Sequence, residues 1–295
     1  MKNNRIGFKL KSDWVFKAVY GADTEDSRAA LKAFLNVVLD RKDDPINEVK
    51  VLNPIILRDS KDLKEVVLDI HAMTDAGDNL DVEMQTYGFN DYPPRALYNG
   101  AKLISTSLAS STDYDKIKTT IVISVIDGIV FKDITKKHSL FKVCEVDTGH
   151  VMTDKAEWHF LELGKLDVDA DPDLMTDEEI LMAYLKYFGD AEKYDYFDKL
   201  LKRRMEVIEM SEKMIEGLSE DFVAQILKIS QEKQERDRLH RDNMVAKQAR
   251  QQQRDEDIKE FIDALRELGQ SDDDIVKRIM KNHDISEEEI RKLMQ

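Results

Sequence analysis

The residues best placed to do chemistry lie in two neighbouring runs, Val67-Leu68-Asp69-Ile70-His71 and Leu80-Asp81-Val82-Glu83-Met84-Gln85. In a strand, residues two apart share a face, so Asp81, Glu83 and Gln85 project together, away from Leu80, Val82 and Met84. Asp69 shares its face with Val67 and His71. The intervening Asp75-Ala76-Gly77-Asp78-Asn79 has turn chemistry, so the sequence predicts a β-hairpin that brings Asp69 near Glu83. Carboxylates that close either share a proton or bind a cation. A hard divalent ion on Asp69, Glu83 and the Met84 carbonyl could polarise a phosphodiester and activate a water. A strand face that is simply solvated, in an antiparallel sheet with one wet side, would show the same alternation.

Several elements must position this hairpin. Ser12 opens a short helix through Trp14, Phe16 and Val19 that stops at Gly21, and Thr24 to Leu39 has the three-and-four apolar spacing of a second helix. Glu65 to Thr74 and Leu80 to Thr86 read as the hairpin strands, followed by Pro93-Pro94 and a helix over Arg95 to Leu108. Lys118 to Ile126 reads as a buried strand, and Leu140 to Val146 and Trp158 to Leu163 as further strands. Beyond Pro172 the pattern is helical: Thr176 to Phe188, one long helix from Tyr194 to Ile229, and three short terminal helices over Asp257 to Leu268, Ser271 to Met280 and Ser286 to Met294. The predicted organisation is a core at 1–166, a helical extension at 167–230, a charged helical linker at 231–254 and a three-helix module at 255–295.

Composition narrows the function classes. With 295 residues, 36% charged and 42% apolar, and only 11 Gly and 5 Pro, the chain is a helix-rich globular protein with room for a large core. Its single cysteine, Cys144, excludes an internal disulfide and a thiolate zinc site, and reads as a small buried hydrophobe. A net charge of -15 argues against coating DNA or membranes by bulk charge. No secretory signal or membrane-length apolar run is visible, so a cytoplasmic protein that does not engage membranes is expected. Asp147-Thr148-Gly149 reads as a turn.

The ordered set Ser12-Asp-Trp-Val-Phe-Lys17, Phe34-Leu-Asn36, Leu68-Asp69-Ile70, Gly77, Asp81-Val-Glu83-Met-Gln85, Arg95-Ala-Leu-Tyr98 and Asp113-Tyr114 resembles the PD-(D/E)XK nuclease family transposases, or recombination-promoting nucleases. The resemblance implies an α/β fold, a restriction-endonuclease-like mixed sheet flanked by helices, followed here by an all-α C-terminal region. It also implies a metal-dependent DNA endonuclease using Mg²⁺, with Mn²⁺ or Ca²⁺ as alternative ions, acting in DNA recombination or transposition. Asp69 and Glu83 match the metal-binding acids of that fold, and Gln85 stands where many of the wider superfamily carry lysine. Lysine brings a positive charge, whereas an amide only donates and accepts hydrogen bonds. Asp13 falls where the fold often supplies a further acid.

Other candidates sit around this set. His71 shares the face of Asp69, and such a histidine is more often a satisfied hydrogen-bonding residue. Arg95, Tyr98 and Lys102 form a helical stripe that could contact phosphates, pair with Asp81 or cover the sheet. The segment 255–295 is acidic overall and suits a protein partner or self-association better than DNA, whereas Lys233 to Arg254 is the better non-specific DNA contact or a solvated spacer. The alternative to an active nuclease is a catalytically weak or inactive nuclease fold, binding DNA or partners through its helical tail.

Overall fold

The computed structural model describes residues 8–53, 55–56, 66–86, 92–107, 113–167, 170–219, 221–224, 228, 250, 253–282 and 285–294. Most of the charged 231–254 stretch lies outside them. Two compact units are present, Met1–Ser230 and Gln231–Gln295.

The first unit is built on a mixed six-stranded sheet in the order β1-β4-β5-β6-β8-β7. Its strands are β1 (Val49–Val51), β4 (Ile70–Thr74), β5 (Asn79–Gln85), β6 (Thr120–Ile126), β7 (His138–Lys142) and β8 (Ala156–Glu162), while β2 (Ile55–Ile56) and β3 (Val66–Val67) form a separate small ladder. The expected hairpin is β4–β5, antiparallel with Ile70 opposite Val82 and His71 opposite Asp81. The expected strand over Glu65 to Thr74 is interrupted: it breaks at Leu68 and Asp69 between β3 and β4. β5 runs parallel to β6 and β6 parallel to β8, which buries this centre on both faces.

Leu80, Val82, Met84, Ile121, Ile123, Val125 and Leu161 pack on one face against helices α1 (Asp13–Tyr20), α2 (Glu25–Val38), α4 (Asp177–Tyr187), α5 (Tyr194–Leu201) and α6 (Glu206–Glu216). The helices at 167–230 therefore share the main core. The single helix expected over Tyr194 to Ile229 is broken between α5 and α6, where Arg204 takes a left-handed φ of 47°. That conformation cannot continue a right-handed helix. Thr176 and Glu179 close a reciprocal capping box at the start of α4.

The opposite face receives α3 (Tyr92–Thr106), with Tyr92 and Ala96 against Val122, Ile126, Trp158 and Phe160. Close approach of α3 depends on Gly100: a Cβ there would lie 2.7 Å from the Trp158 indole nitrogen, which donates to the Ala96 carbonyl at 3.1 Å. Gly100→Ala is expected to cost about 1–3 kcal/mol by forcing the helix off the indole. A denaturation midpoint unchanged from the parent would contradict this packing.

The edge strand β7 is fastened inward by polar contacts. His138 Nδ1 meets Glu178 at the start of α4, and His138 Nε2 lies 2.9 Å from His159 Nδ1. His159 Nε2 continues to Glu157 at 3.3 Å, and Lys142 pairs with Glu157 at 2.7 Å. Hydrogen bonding by His159 and the charge of Lys142 hold Glu157 at about 2 against its partial burial. Both histidines line a cavity of about 770 Å³ with Asn36, Arg41, Glu178 and Met205.

Cys144 is exposed, contrary to the buried hydrophobe expected, because it lies beyond β7 in an outlying loop, bridged only to Val151. Asp147-Thr148-Gly149 is a turn, with Glu145 accepting from the Asp147 and Thr148 amides at 3.2 and 2.7 Å.

The second unit contains α7 (residues 253–267), α8 (Asp272–Asn282) and α9 (Glu287–Leu293). Ile258, Ile262, Leu265, Ile275, Val276, Ile279, Ile285 and Ile290 form a core of their own. The apolar side chains of the tail are therefore mostly hidden within it, while Leu268 and Met280 remain exposed. Among the described residues, no helix is long and apolar enough to cross a membrane.

Candidate active site

The hairpin register carries Asp69 alongside Glu83, and the two residues interlock. The Asp69 amide donates to Glu83 Oε1 at 3.2 Å, and the Met84 amide donates to Asp69 Oδ2 at 3.1 Å. Asp81 and Glu83 are 0% and 1% exposed, which rules out a solvated strand face. They lie on the α3 side of the sheet, level with Val122 and Ser124 of the parallel neighbour.

Two helices bring cations to these acids. From α1, Lys17 Nζ sits 2.8 Å from Asp69 Oδ1 and 3.3 Å from Asp13 Oδ1. From α3, Arg95 Nη2 lies 2.8 Å from Glu83 Oε2, which also accepts from Gln85 Nε2 at 3.1 Å. Of the roles open to the α3 stripe, Arg95 thus pairs with Glu83 instead of Asp81. Its guanidinium rests over the buried Tyr92 ring, whose hydroxyl donates to Ser124 at 3.0 Å.

The carboxylates nevertheless crowd one another. Burial, then the charges of Glu83 and Asp13, push the Asp69 carboxyl up to about 7 although Lys17 pulls it down. Burial and the charges of Glu83 and Asp69 hold Asp81 well above the usual carboxylate range, with Asn99 and Arg95 opposing. Among the described residues, neither Asp81 oxygen has a hydrogen-bond partner of good geometry. Lys17 is disfavoured by burial, yet Asp69 and Asp13 raise its ammonium above the ordinary value.

The remaining candidates are placed as follows. Asp13 is buried in the first turn of α1 and joins the cluster through Lys17. His71 is directed elsewhere: its ring nitrogens meet the Asn53 carbonyl at 2.9 Å and Asn79 Oδ1 at 2.8 Å, the bland role anticipated for it. Tyr98 lies 41% exposed on the outer side of α3, and Lys102 is buried.

A family model described as PD-(D/E)XK nuclease family transposase matches residues 10–241. The chain belongs to that family. No curated protein and no solved structure gives a significant match. The mixed sheet with flanking helices and a helical C-terminal region agrees with the PD-(D/E)XK nuclease fold, as the ordered motifs implied. Nucleases of this class typically use divalent metals, and the donor chemistry here suits one. The acids Asp13, Asp69 and Glu83 meet Lys17 and Arg95 at ion-pairing distance, Asp81 lies buried beside them, and oxygen donors are what a hard cation takes. Among the described residues, no three metal-ligating side chains converge, and the nearest carboxylate oxygens are engaged by Lys17, Arg95 and Gln85.

Reading the sequence missed Lys17 and Asn99 as parts of this acidic cluster. The signal for Lys17 was present in the i,i+4 spacing from Asp13. For Asn99 it was absent, since nothing local indicates that α3 lays it beside Asp81.

Proposed function

We propose that the protein is a Mg²⁺-dependent endodeoxyribonuclease that hydrolyses phosphodiester bonds of DNA in recombination or transposition, working in the cytoplasm. The observation that carries this reading is the interlocked pair of Glu83, buried on β5, and Asp69, just before β4. Asp69 and Glu83 would hold the ion, with the Met84 carbonyl completing the set and Asp13 supporting it. Mn²⁺ or Ca²⁺ would be accepted by the same oxygens. The bound ion would supply positive charge at the phosphate and lower the pKa of water.

This chain's own groups would do the rest. Gln85 hydrogen-bonds Glu83 and stands at the end of β5, where its amide would orient the attacking water. Arg95 is half exposed beside Glu83, with Tyr98 on the same helix, so both can meet a DNA phosphate. Addition of water to phosphorus breaks one P–O ester bond and yields a phosphate monoester and a free hydroxyl.

Purified protein should nick supercoiled plasmid with Mg²⁺ or Mn²⁺ and stop when the metal is chelated. Asp69→Ala should abolish nicking. Persistent nicking by that variant would refute the site. A parent protein without activity or Glu83-dependent metal affinity would favour the inactive, DNA- or partner-binding reading, which the Lys17 and Arg95 pairings and Gln85 support.

The tail is assigned a separate task. Residues 255–295 would mediate self-association or partner binding, an idea supported by exposed Leu268 and Met280 on an otherwise self-packed module. A chain ending near Lys228 should keep metal-dependent nicking while its mass by light scattering, or its partner binding, changes. Loss of nicking on truncation would place the tail in the catalytic domain.

A further inference from the structure

The hairpin offers no lysine of its own to the catalytic face: Gln85 occupies the position after Glu83-Met84 and spends its amide on Glu83. A phosphodiester gathers negative charge as water adds, and an amide cannot balance it as an ammonium does. An ammonium arrives from another element. Lys17 leaves the middle of α1, passes over the Trp14 ring and ends 2.8 Å from Asp69 Oδ1 and 3.3 Å from Asp13 Oδ1. Its side chain is 29% exposed, so its end is reachable from solvent while its acids are almost covered.

We propose that Lys17 is an exchangeable cation of this site, which neutralises Asp69 in the metal-free protein and lends its charge to the scissile phosphate once a divalent ion takes that carboxylate. The inference rests on the nuclease reading above and deepens it. Two charges compete for one carboxylate oxygen, so the metal must displace the ammonium from Asp69. Asp13 keeps the displaced group nearby, because it is a second acid on the same helix, one turn away and already in contact. Lys17 would thus do two opposite things: weaken metal binding and strengthen the hold on DNA.

That opposition separates it from a residue that merely stabilises α1. Full-length parent, Lys17→Met and Lys17→Arg are compared by calorimetric titration with Mn²⁺ alone, by binding of a duplex oligonucleotide in Ca²⁺, and by plasmid nicking in Mn²⁺. Lys17→Met should bind Mn²⁺ about 3- to 10-fold more tightly, having lost its internal competitor. It should bind the duplex several-fold more weakly and nick about 10²- to 10³-fold more slowly. Lys17→Arg should recover nicking to within about tenfold of the parent, since its charge is kept. If Lys17→Met does not fold, Lys17→Gln takes its place.

Weaker Mn²⁺ binding by the uncharged variant would show a structural role and overturn the proposal, as would nicking within about twofold of the parent. In both cases an active parent leaves the nuclease reading standing. A parent that neither binds Mn²⁺ through Glu83 nor nicks DNA removes that reading, and the proposal with it.

Discussion

Replacing Glu83 by glutamine is expected to reduce DNA cleavage by at least about 10³-fold and to weaken metal binding by about 10- to 100-fold, with a smaller cost in stability. The side chain is 1% exposed and serves three donors: the Asp69 amide, Arg95 and Gln85. Glutamine has nearly the same shape but only one good acceptor. Its NH₂ would face either the Asp69 amide or the Arg95 and Gln85 donors, setting donor against donor. Arg95 would lose its partner, although its half exposure lets water replace part of that contact. A stability loss of about 1–3 kcal/mol follows from the unsatisfied groups. Cleavage by Glu83→Gln at more than a tenth of the parental rate would exclude Glu83 as a metal ligand.

The metal-free protein is expected to lose stability as pH rises from about 4 to 7, and Asp69→Asn should remove much of that loss. Asp69 titrates near 3.8 in an unfolded chain and at about 7 in the fold, where burial and the charges of Glu83 and Asp13 oppose its ionisation. Below both values the carboxyl is protonated in either state, and no difference arises. Between them the folded protein retains a proton that the unfolded chain has released, so each rise in pH favours unfolding. Above about 7 the penalty is complete and constant. Its size, shared with Lys17 and relieved by the remaining exposure, is on the order of 2 kcal/mol. Asparagine cannot ionise, so the variant should melt higher than the parent at pH 8 without metal. Mg²⁺ at the same pH should narrow that gap by stabilising only the parent. Equal pH slopes for the two proteins would contradict the placement of Asp69 among the acids.

Much of this site was legible because its signals are local. The alternation of Asp81, Glu83 and Gln85 against Leu80, Val82 and Met84, with a turn before it, is enough to predict the β4–β5 hairpin and its polar face. Composition could not say whether that face is wet or buried. That depends on α3 being laid across it, which Gly100 permits by leaving room for the indole of Trp158, far along the chain. Lys17 was similarly hidden: its register on α1 is clear, but its contact with Asp69 exists only after the sheet and helix meet. The long helix read over Tyr194 to Ile229 failed for a related reason. Its apolar spacing continues through Leu200, Leu201 and Met205, and neither Gly nor Pro marks the turn at Arg204. Cys144 was misplaced because its type favours burial, whereas its position in a loop past the edge strand does not.

The histidine contacts at the sheet edge also tie two tautomers together. Glu178, His138, His159 and Glu157 form one chain of three contacts, carboxylate to ring, ring to ring and ring to carboxylate. Two neutral imidazoles bring two protons to those three contacts, so the chain either leaves one contact without a proton or takes up a third. Burial, then the charge of His138, lowers the proton affinity of His159 and works against the third. The tautomer of one ring therefore dictates that of the other across the 2.9 Å gap, and the wall of the adjoining cavity presents donors and acceptors that change together.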